Sequence, residues 1–501
     1  MGGPAAVTFC LTLALGQWLT WPGAFAAAVV LQFAAACTVI RFSIWLPGGL
    51  ALVAALLLLV TGVAAVIVVA RIPDLRLPRW RQIVGSMAVT VGMAAFVTFV
   101  VARASADADF EWAMRNDAVW NLATTRFMIV DGGIENSQHP NSSPLTAALM
   151  AAVAAVGRAG LPATELLRHD VTRVVEFWLL AGLGSAFLAG LLGFAVTAGS
   201  RPWRRWIAAI VAGVLPVTWF VFGFAADYGF YNATIVVVLL IASWLLWLEA
   251  SKRPVIASGF LGLAAVGMLA TWAPLALVSL GLSVAALLPR VRRLVISTGA
   301  PRWKQLGLVL VPLIPVPIYA VAVTLPDLRR DGAALAVEGA FMPFTPLHIL
   351  TIAVVAFAVV LLASTLFQDN HLLLGFSTVI IAGAVALGYL AYQRRATASL
   401  WGYYPAKFAW FLAILLLVIL CAVLLRVGTS AQASKIGALL LVVVSGAMPF
   451  TLMSHLPPPG GWRTAITPIS IALQNGGAVP NTSAKALFDV VNRPVLRFRV
   501  A

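Results

Sequence analysis

The sequence is short of charge. Only 10% of its 501 residues are Asp, Glu, Lys or Arg, against about 25% in soluble domains, so a globule of this size could not be covered with charge. Cysteine is also scarce. Cys10, Cys37 and Cys421 all fall inside apolar runs, which excludes a disulfide framework or a cysteine metal site and leaves them as small buried apolar residues. There is no P-loop, HExxH, GxSxG or paired CxxC, which removes support for ATP-driven transport and zinc hydrolysis. No internal repeat or low-complexity segment is present, and Met1 is not followed by the charged stretch that opens a signal peptide.

What the chain has is apolar length. Hydrophobic residues make up 62% of it, and its mean hydropathy is +0.99. The apolar residues come in runs long enough to cross about 30 Å of hydrocarbon, separated by short basic linkers. The expected fold is therefore an all-α polytopic membrane protein with about 13–14 transmembrane helices. Spans are expected near 5–20, 22–40, 48–70, 83–102, 173–198, 206–224, 231–249, 255–270, 273–289, 306–325, 348–366, 372–392, 406–426 and 437–455. "GQWLTWPG" between the first two reads either as a tight turn or as an interfacial break.

The formal net charge of +16 is not a nucleic-acid footprint. Lys and Arg sit in the linkers: Arg71, Arg76, Arg79 and Arg81; Arg201, Arg204 and Arg205; Lys252 and Arg253; Arg290, Arg292, Arg293, Arg302 and Lys304. That distribution follows the positive-inside rule and lacks the basic stripe that phosphate backbones require. With 71–82 inside, residues 103–172 form a large loop outside the cytoplasm. Of the seventeen acids in the chain, Asp107, Asp109, Glu111, Asp117, Asp131, Glu135, Glu165, Asp170 and Glu176 lie in that loop or just after it. Asp227, Asp327, Asp331, Glu338 and Asp489 fall on the same side, which leaves Asp74, Glu249 and Asp369 on the other. Acids weigh little in membrane insertion, so the asymmetry points to an outward-facing site. Within the loop, 142–160 is apolar, broken by Pro144, and is expected to lie in the outer interface as an amphipathic helix. The expected organisation is an accessory group of helices over 1–82, a transmembrane core over 83–455 that includes loop 103–172, and a short extracytoplasmic tail over 456–501.

The stretch "DADFEWAMRNDAVWNLATTRFMIVDGGIENSQHPNSSPLTAALMA" (107–151) is the richest in chemistry. Residues 113–130 read as a short helix that brings Asp117 near the loop's membrane-proximal start, and "DGG" reads as a turn. A carboxylate at the edge of an apolar cavity is suited to general-base work, because burial lifts its pKa towards the working range. The alternative for any one of these acids is a solvated loop residue.

An acid near the start of an outer loop, then "TRF…DGG…N", then "SSPL" leading into an apolar helix, resembles the first external loop of the GT-C glycosyltransferases. "FLGLAAVGMLATWAPLALVSLGL" (260–282) resembles their mid-chain pair of short helices, and "GFAADYGFYNATIVVVLLIASWLLWLE" (223–249) the turn and span before it. The resemblance covers about 85–455 and is nearest to the actinobacterial arabinofuranosyltransferases of cell-wall galactan. It implies a multi-pass enzyme of the cell membrane, working on the extracytoplasmic side. Such an enzyme moves a sugar from a polyprenyl-phosphate donor to an envelope glycan acceptor by a single inverting displacement. Asp117 matches the acid that activates the acceptor, with Glu111, Asp131 and Glu135 as rival bases. The family often has two adjacent acids where this chain has Asn116 and Asp117. No metal ligands are assigned from the residues, and a divalent metal is left open as the only cofactor.

A leaving phosphate needs cations on the same side. "YQRRATASLWGYYPAKFAW" (392–410) places Arg394, Arg395 and Lys407 in an outer loop, against the positive-inside trend. Arg forks and Lys charges bind phosphate oxygens; the alternative is snorkelling to lipid headgroups. Tyr403 and Tyr404 belong to the same segment and read either as donor contacts or as an aromatic belt. Lesser candidates are Asp227, in a Gly-containing turn, Trp272, at the apex of a helix pair, and His139, next to a proline. The competing readings are a lipid-linked sugar flippase or transporter, which would favour charged mid-membrane sites, a glycan polymerase or ligase relying on outer Arg and His, and a non-catalytic envelope scaffold.

Overall fold

A computed structural model describes residues 2–41, 43–45, 49–72, 80–103, 117–134, 143–223, 225, 229–296, 303–330 and 344–429. Every regular element among them is helical. In lipid a lone strand or an open loop would leave backbone polar groups without partners, and a helix satisfies its own. The helices are α1 (Gly2–Leu15), α2 (Trp21–Arg41), α3 (Gly49–Ala70), α4 (Trp80–Arg103), α5 (Asp117–Asp131), α6 (Leu145–Ala154), α7 (Ala163–Val196) and α8 (Pro202–Val214). They continue as α9 (Tyr231–Ala250), α10 (Pro254–Trp272), α11 (Ala276–Ile296), α12 (Trp303–Leu313), α13 (Pro315–Arg330), α14 (Pro346–Phe367), α15 (Asn370–Gln393) and α16 (Tyr403–Thr429). Pro22, Pro202, Pro254 and Pro346 sit in first turns, where the missing N–H has no intrahelical partner to lose.

Nine helical segments among the described residues are long and apolar enough to cross a membrane, or ten if the pair α12–α13, bent by 48°, is one span. The chain is a multi-pass membrane protein. One of the nine, Pro254–Ile296, is not a single rod. Ser258 Oγ and Ser283 Oγ are 2.7 Å apart, whereas twenty-five residues of straight helix would separate them by about 37 Å. The chain doubles back at Trp272–Leu275, where Trp272 is extended (φ −161°), and α10 and α11 pack as an antiparallel hairpin. The expected total of 13–14 is for the whole chain, whereas this number is for the described residues. Helix α1 has only 14 residues, α4 covers the expected span 83–102 as a helix of 24 residues, and 437–455 lies outside the described residues.

The bundle is built around α9, in which every residue except Asn232 and Leu248 is buried. Its neighbours α2, α7, α10 and α16 share one continuous apolar cluster with it, so α2, although ahead of residue 82, packs into the same core. Helix α3 is equally apolar but buries only Leu50, Val53 and Ala65. It shows Leu59, Val60 and Val66 on the outside, the face a bilayer would cover. Two ends can be told apart. Asp117, Gly229, Trp272, Phe344 and Tyr403 gather at one, called here the loop end. Thr20, Glu249, Asp369, His371 and Arg426 gather at the opposite end.

Helix α6 departs from expectation. An amphipathic helix in the interface would show a polar face, but eight of the ten residues of α6 are buried. It packs among α2, α3, α5 and α7. Alanines and one turn of small residues let it lie inside the protein, and its apolar surface faces other helices instead of lipid.

Close packing of α7 on α8 rests on Gly193, where any Cβ would collide with the Ala208 carbonyl. Gly193→Ala is expected to destabilise the protein by about 1–3 kcal/mol through overpacking. Gly184→Ala, on the same helix with open space around it, should be neutral or stabilise by up to about 1 kcal/mol. Thermal unfolding of the two detergent-purified variants checks the contrast; equal midpoints would refute it.

Candidate functional site

The first-loop helix α5 opens with Asp117, a position where the helix macrodipole favours an anion. Helix α16 opens with Tyr403 and carries Lys407 one turn later, on the same face. The two helices meet. The Tyr403 hydroxyl donates to Asp117 Oδ2 at 2.9 Å and accepts from Lys407 Nζ at 3.1 Å. Lys407 Nζ stands 3.7 Å from Asp117 Oδ2 and 3.6 Å from the centre of the Phe230 ring, close enough for a cation–π contact. The lysine side chain is 5% exposed and that of the aspartate 45%. The ammonium is therefore held in an apolar wall while the carboxylate opens to the outside. Asp117 Oδ1 has no partner among the described residues.

Helix α5 is held in place along its length. Ala118 and Leu122 enter a cluster with Met150, Val171, Trp178, Phe222 and Tyr231, and Asn121 Nδ2 reaches the Gly229 carbonyl at 3.4 Å. Its strongest tether is electrostatic. Asp170 on α7 is fully buried and takes Arg126 of α5 at 3.1 Å and Arg158 at 3.1 Å. Burial pushes the Arg126 guanidinium below its ordinary pKa, Asp170 pulls it back up, and Arg158 pushes it down again.

The other residues singled out in the sequence are placed as follows. Arg394 is fully buried. It donates to the Ser399 carbonyl at 3.2 Å and lies against Gly402, which has no side chain to displace it. Arg395 is exposed and lies over its own neighbour, the Tyr392 ring, at 4.2 Å. Tyr404 makes an edge contact with Tyr403 at 5.0 Å. Trp272 is 4% exposed and packs on Phe408 and Phe411 at the hairpin turn, inside the bundle instead of in an aromatic belt. Asp131 is exposed at the far end of α5, about 21 Å along the helix from Asp117. Glu111, Glu135, His139 and Asp227 lie outside the described residues.

The structure thus joins Asp117, Tyr403 and Lys407, three candidates drawn from segments 286 residues apart, and adds Phe230, which the sequence did not single out. Its only signal was its place in "ADYGFYN", beside Asp227. Among the described residues no three His, Cys, Asp or Glu side chains converge where they could hold a metal ion. The Lys407 ammonium beside Asp117 does not suit a divalent cation. The chain matches no protein-family model, no curated protein and no solved structure.

Because Asp170 is the buried counter-charge for two arginines, Asp170→Ala is expected to cost about 3–5 kcal/mol. Arg173→Ala, which breaks only the exposed pair with Glu176, should cost less than about 1 kcal/mol. Denaturant or thermal unfolding distinguishes them, and comparable losses would show that the buried cluster does not anchor α5.

Proposed function

We propose that this protein is a membrane glycosyltransferase of the GT-C type. In this reading it transfers a sugar such as arabinofuranose or mannose from a polyprenyl-phosphate donor to an extracytoplasmic envelope glycan at the plasma membrane. The observation that carries the proposal is the Asp117–Tyr403–Lys407 cluster. It pairs a half-exposed carboxylate, available to take a proton, with a buried cation suited to a phosphate oxygen.

In the proposed reaction the acceptor hydroxyl oxygen attacks the anomeric carbon, and its proton passes to the free oxygen of Asp117. The bond from the anomeric carbon to the phosphate oxygen breaks, and polyprenyl phosphate leaves with that electron pair. Inversion follows from a single displacement. In this reading Lys407 neutralises charge on the leaving phosphate, and a donor aimed at developing charge in a dry site is worth more than in water. Tyr403 also bridges carboxylate and ammonium, since its hydroxyl bonds to both beside their 3.7 Å ion pair.

The test is transfer from radiolabelled polyprenyl-phosphate sugars by the purified full-length protein. Asp117→Asn keeps the shape and the Tyr403 contact but removes the base, and is expected to lower kcat by about 100-fold or more. Lys407→Met should raise the KM for the donor by about ten-fold or more, the scale of a charge-assisted hydrogen bond. Tyr403→Phe should fall between wild type and Asp117→Asn. Unchanged transfer by Asp117→Asn would sink the assignment of the base.

A further inference from the structure

At the end of the bundle opposite Asp117 lies a cavity of about 530 Å³. Its polar wall is formed by Trp21 of α2, Arg205 of α8, Glu249 of α9, Lys252 just beyond it, Asp369 before α15 and Arg426 of α16. Helix α9 runs from Tyr231, beside the Phe230–Lys407 contact, to Glu249 at this cavity. The two places are therefore about 27 Å apart along its axis, close to the thickness of the hydrocarbon. One small ligand cannot occupy both.

The acids of this wall are already engaged. Glu249 accepts from the Thr20 backbone N–H at 3.1 Å and from the Thr20 hydroxyl. Asp369 accepts from Arg426 at 2.5 Å and from the Leu372 N–H at 3.1 Å. Burial pushes the Asp369 carboxyl up, but the Arg426 and Leu372 bonds outweigh it and hold the group below the usual carboxylate value, so it stays ionised. His371 is stacked on Trp247 and bonded to its carbonyl oxygen at 2.8 Å.

The groups left over are all donors. Arg205 Nε and Trp21 Nε1 are buried and have no partner among the described residues. The rest of the Arg205 guanidinium is fixed by the Phe194 ring at 3.7 Å and the Phe194 carbonyl at 3.3 Å, which orients Nε. The Lys252 ammonium also has no partner among the described residues. A buried N–H without an acceptor costs free energy that an acceptor on a ligand would restore. Three unengaged donors, two of them cationic, call for an oxygen-rich anion, and a guanidinium with an ammonium favours phosphate. The cavity is of the size that holds organic ligands and much larger than a bare phosphate, and Phe194, Trp244 and Val423 supply apolar wall.

We propose that this cavity is a second binding site, separate from the Asp117 cluster, for a phosphate monoester carrying an apolar body, gripped by Arg205, Lys252 and the Trp21 indole N–H. The proposal does not rest on sugar transfer. Its test is calorimetric titration of the full-length protein in detergent with dioctanoyl phosphatidic acid, dioctanoylglycerol and inorganic phosphate. Phosphatidic acid should bind, and the Arg205→Gln/Lys252→Gln double variant should weaken it by about ten-fold or more. Trp21→Phe, which removes only the indole donor, should weaken it several-fold, as should Lys252→Gln alone on the exposed turn; these two keep the test alive if the double variant does not fold. Asp117→Asn should bind as wild type does, which separates this outcome from any failure of the transferase assignment. Displacement of the lipid by inorganic phosphate at similar concentration would identify a soluble phosphate ester as the natural ligand, and no displacement a membrane lipid. Equal affinity for dioctanoylglycerol, or unchanged affinity in the Trp21 and Lys252 variants, would overturn the proposal.

Discussion

A charge taken out of water must be matched, or the fold that buries it loses more than it gains. That constraint sorts this molecule. Lys407 is tolerable in its apolar wall because Tyr403, Asp117 and the Phe230 ring face it. Asp170 is tolerable because two guanidinium groups converge on it. At the opposite end Glu249 is satisfied by Thr20 and Asp369 by Arg426. Within the central helices, polar contacts shrink to hydroxyls that pair on α11, Ser279 with Ser243 of α9 and Ser283 with Ser258 of α10. The chemistry is therefore pushed to two ends of an otherwise apolar bundle.

The same constraint converts the first loop from a solvated excursion into part of the protein. Helix α5 is locked by Arg126 from one side and by Ala118 and Leu122 from the other, and α6 is buried beneath it. A carboxylate at the start of such a helix has a fixed position relative to α16. Catalytic geometry needs that kind of preorganisation, and a free loop would not supply it.

Much of this was legible in the residues. Uninterrupted apolar runs mark the helices because hydrocarbon allows little else, and the break at "TWAP" separates α10 from α11. The spacing of Tyr403 and Lys407 already puts them on one helical face, and cations against the positive-inside trend mark that segment. Pairing with Asp117 was not readable, since it depends on how helices 286 residues apart pack. Phe230 was invisible because a phenylalanine in an apolar chain has no signature of its own until a cation sits on its face. Arg394 was legible as an unusual cation but not as a buried strut of its own turn. The composition of α6 suits lipid and protein interior equally, and only its neighbours decide between them.

The contact between Asp117 and Lys407 also acts as a parity rule for the whole chain. Two residues that touch on one side of a bilayer must be separated by an even number of crossings. Among the described residues between them run α7, the span that begins with α8, α9, α10, α11, the bent α12–α13, α14 and α15, which makes eight. The Arg41–Asp327 pair at the loop end shows that α12–α13 goes across instead of turning back. Were the Ser258–Ser283 hairpin a single crossing, the number would be odd and the aspartate and lysine would face opposite compartments. A pair of buried serines thus helps decide that the aspartate and the lysine share one face of the membrane.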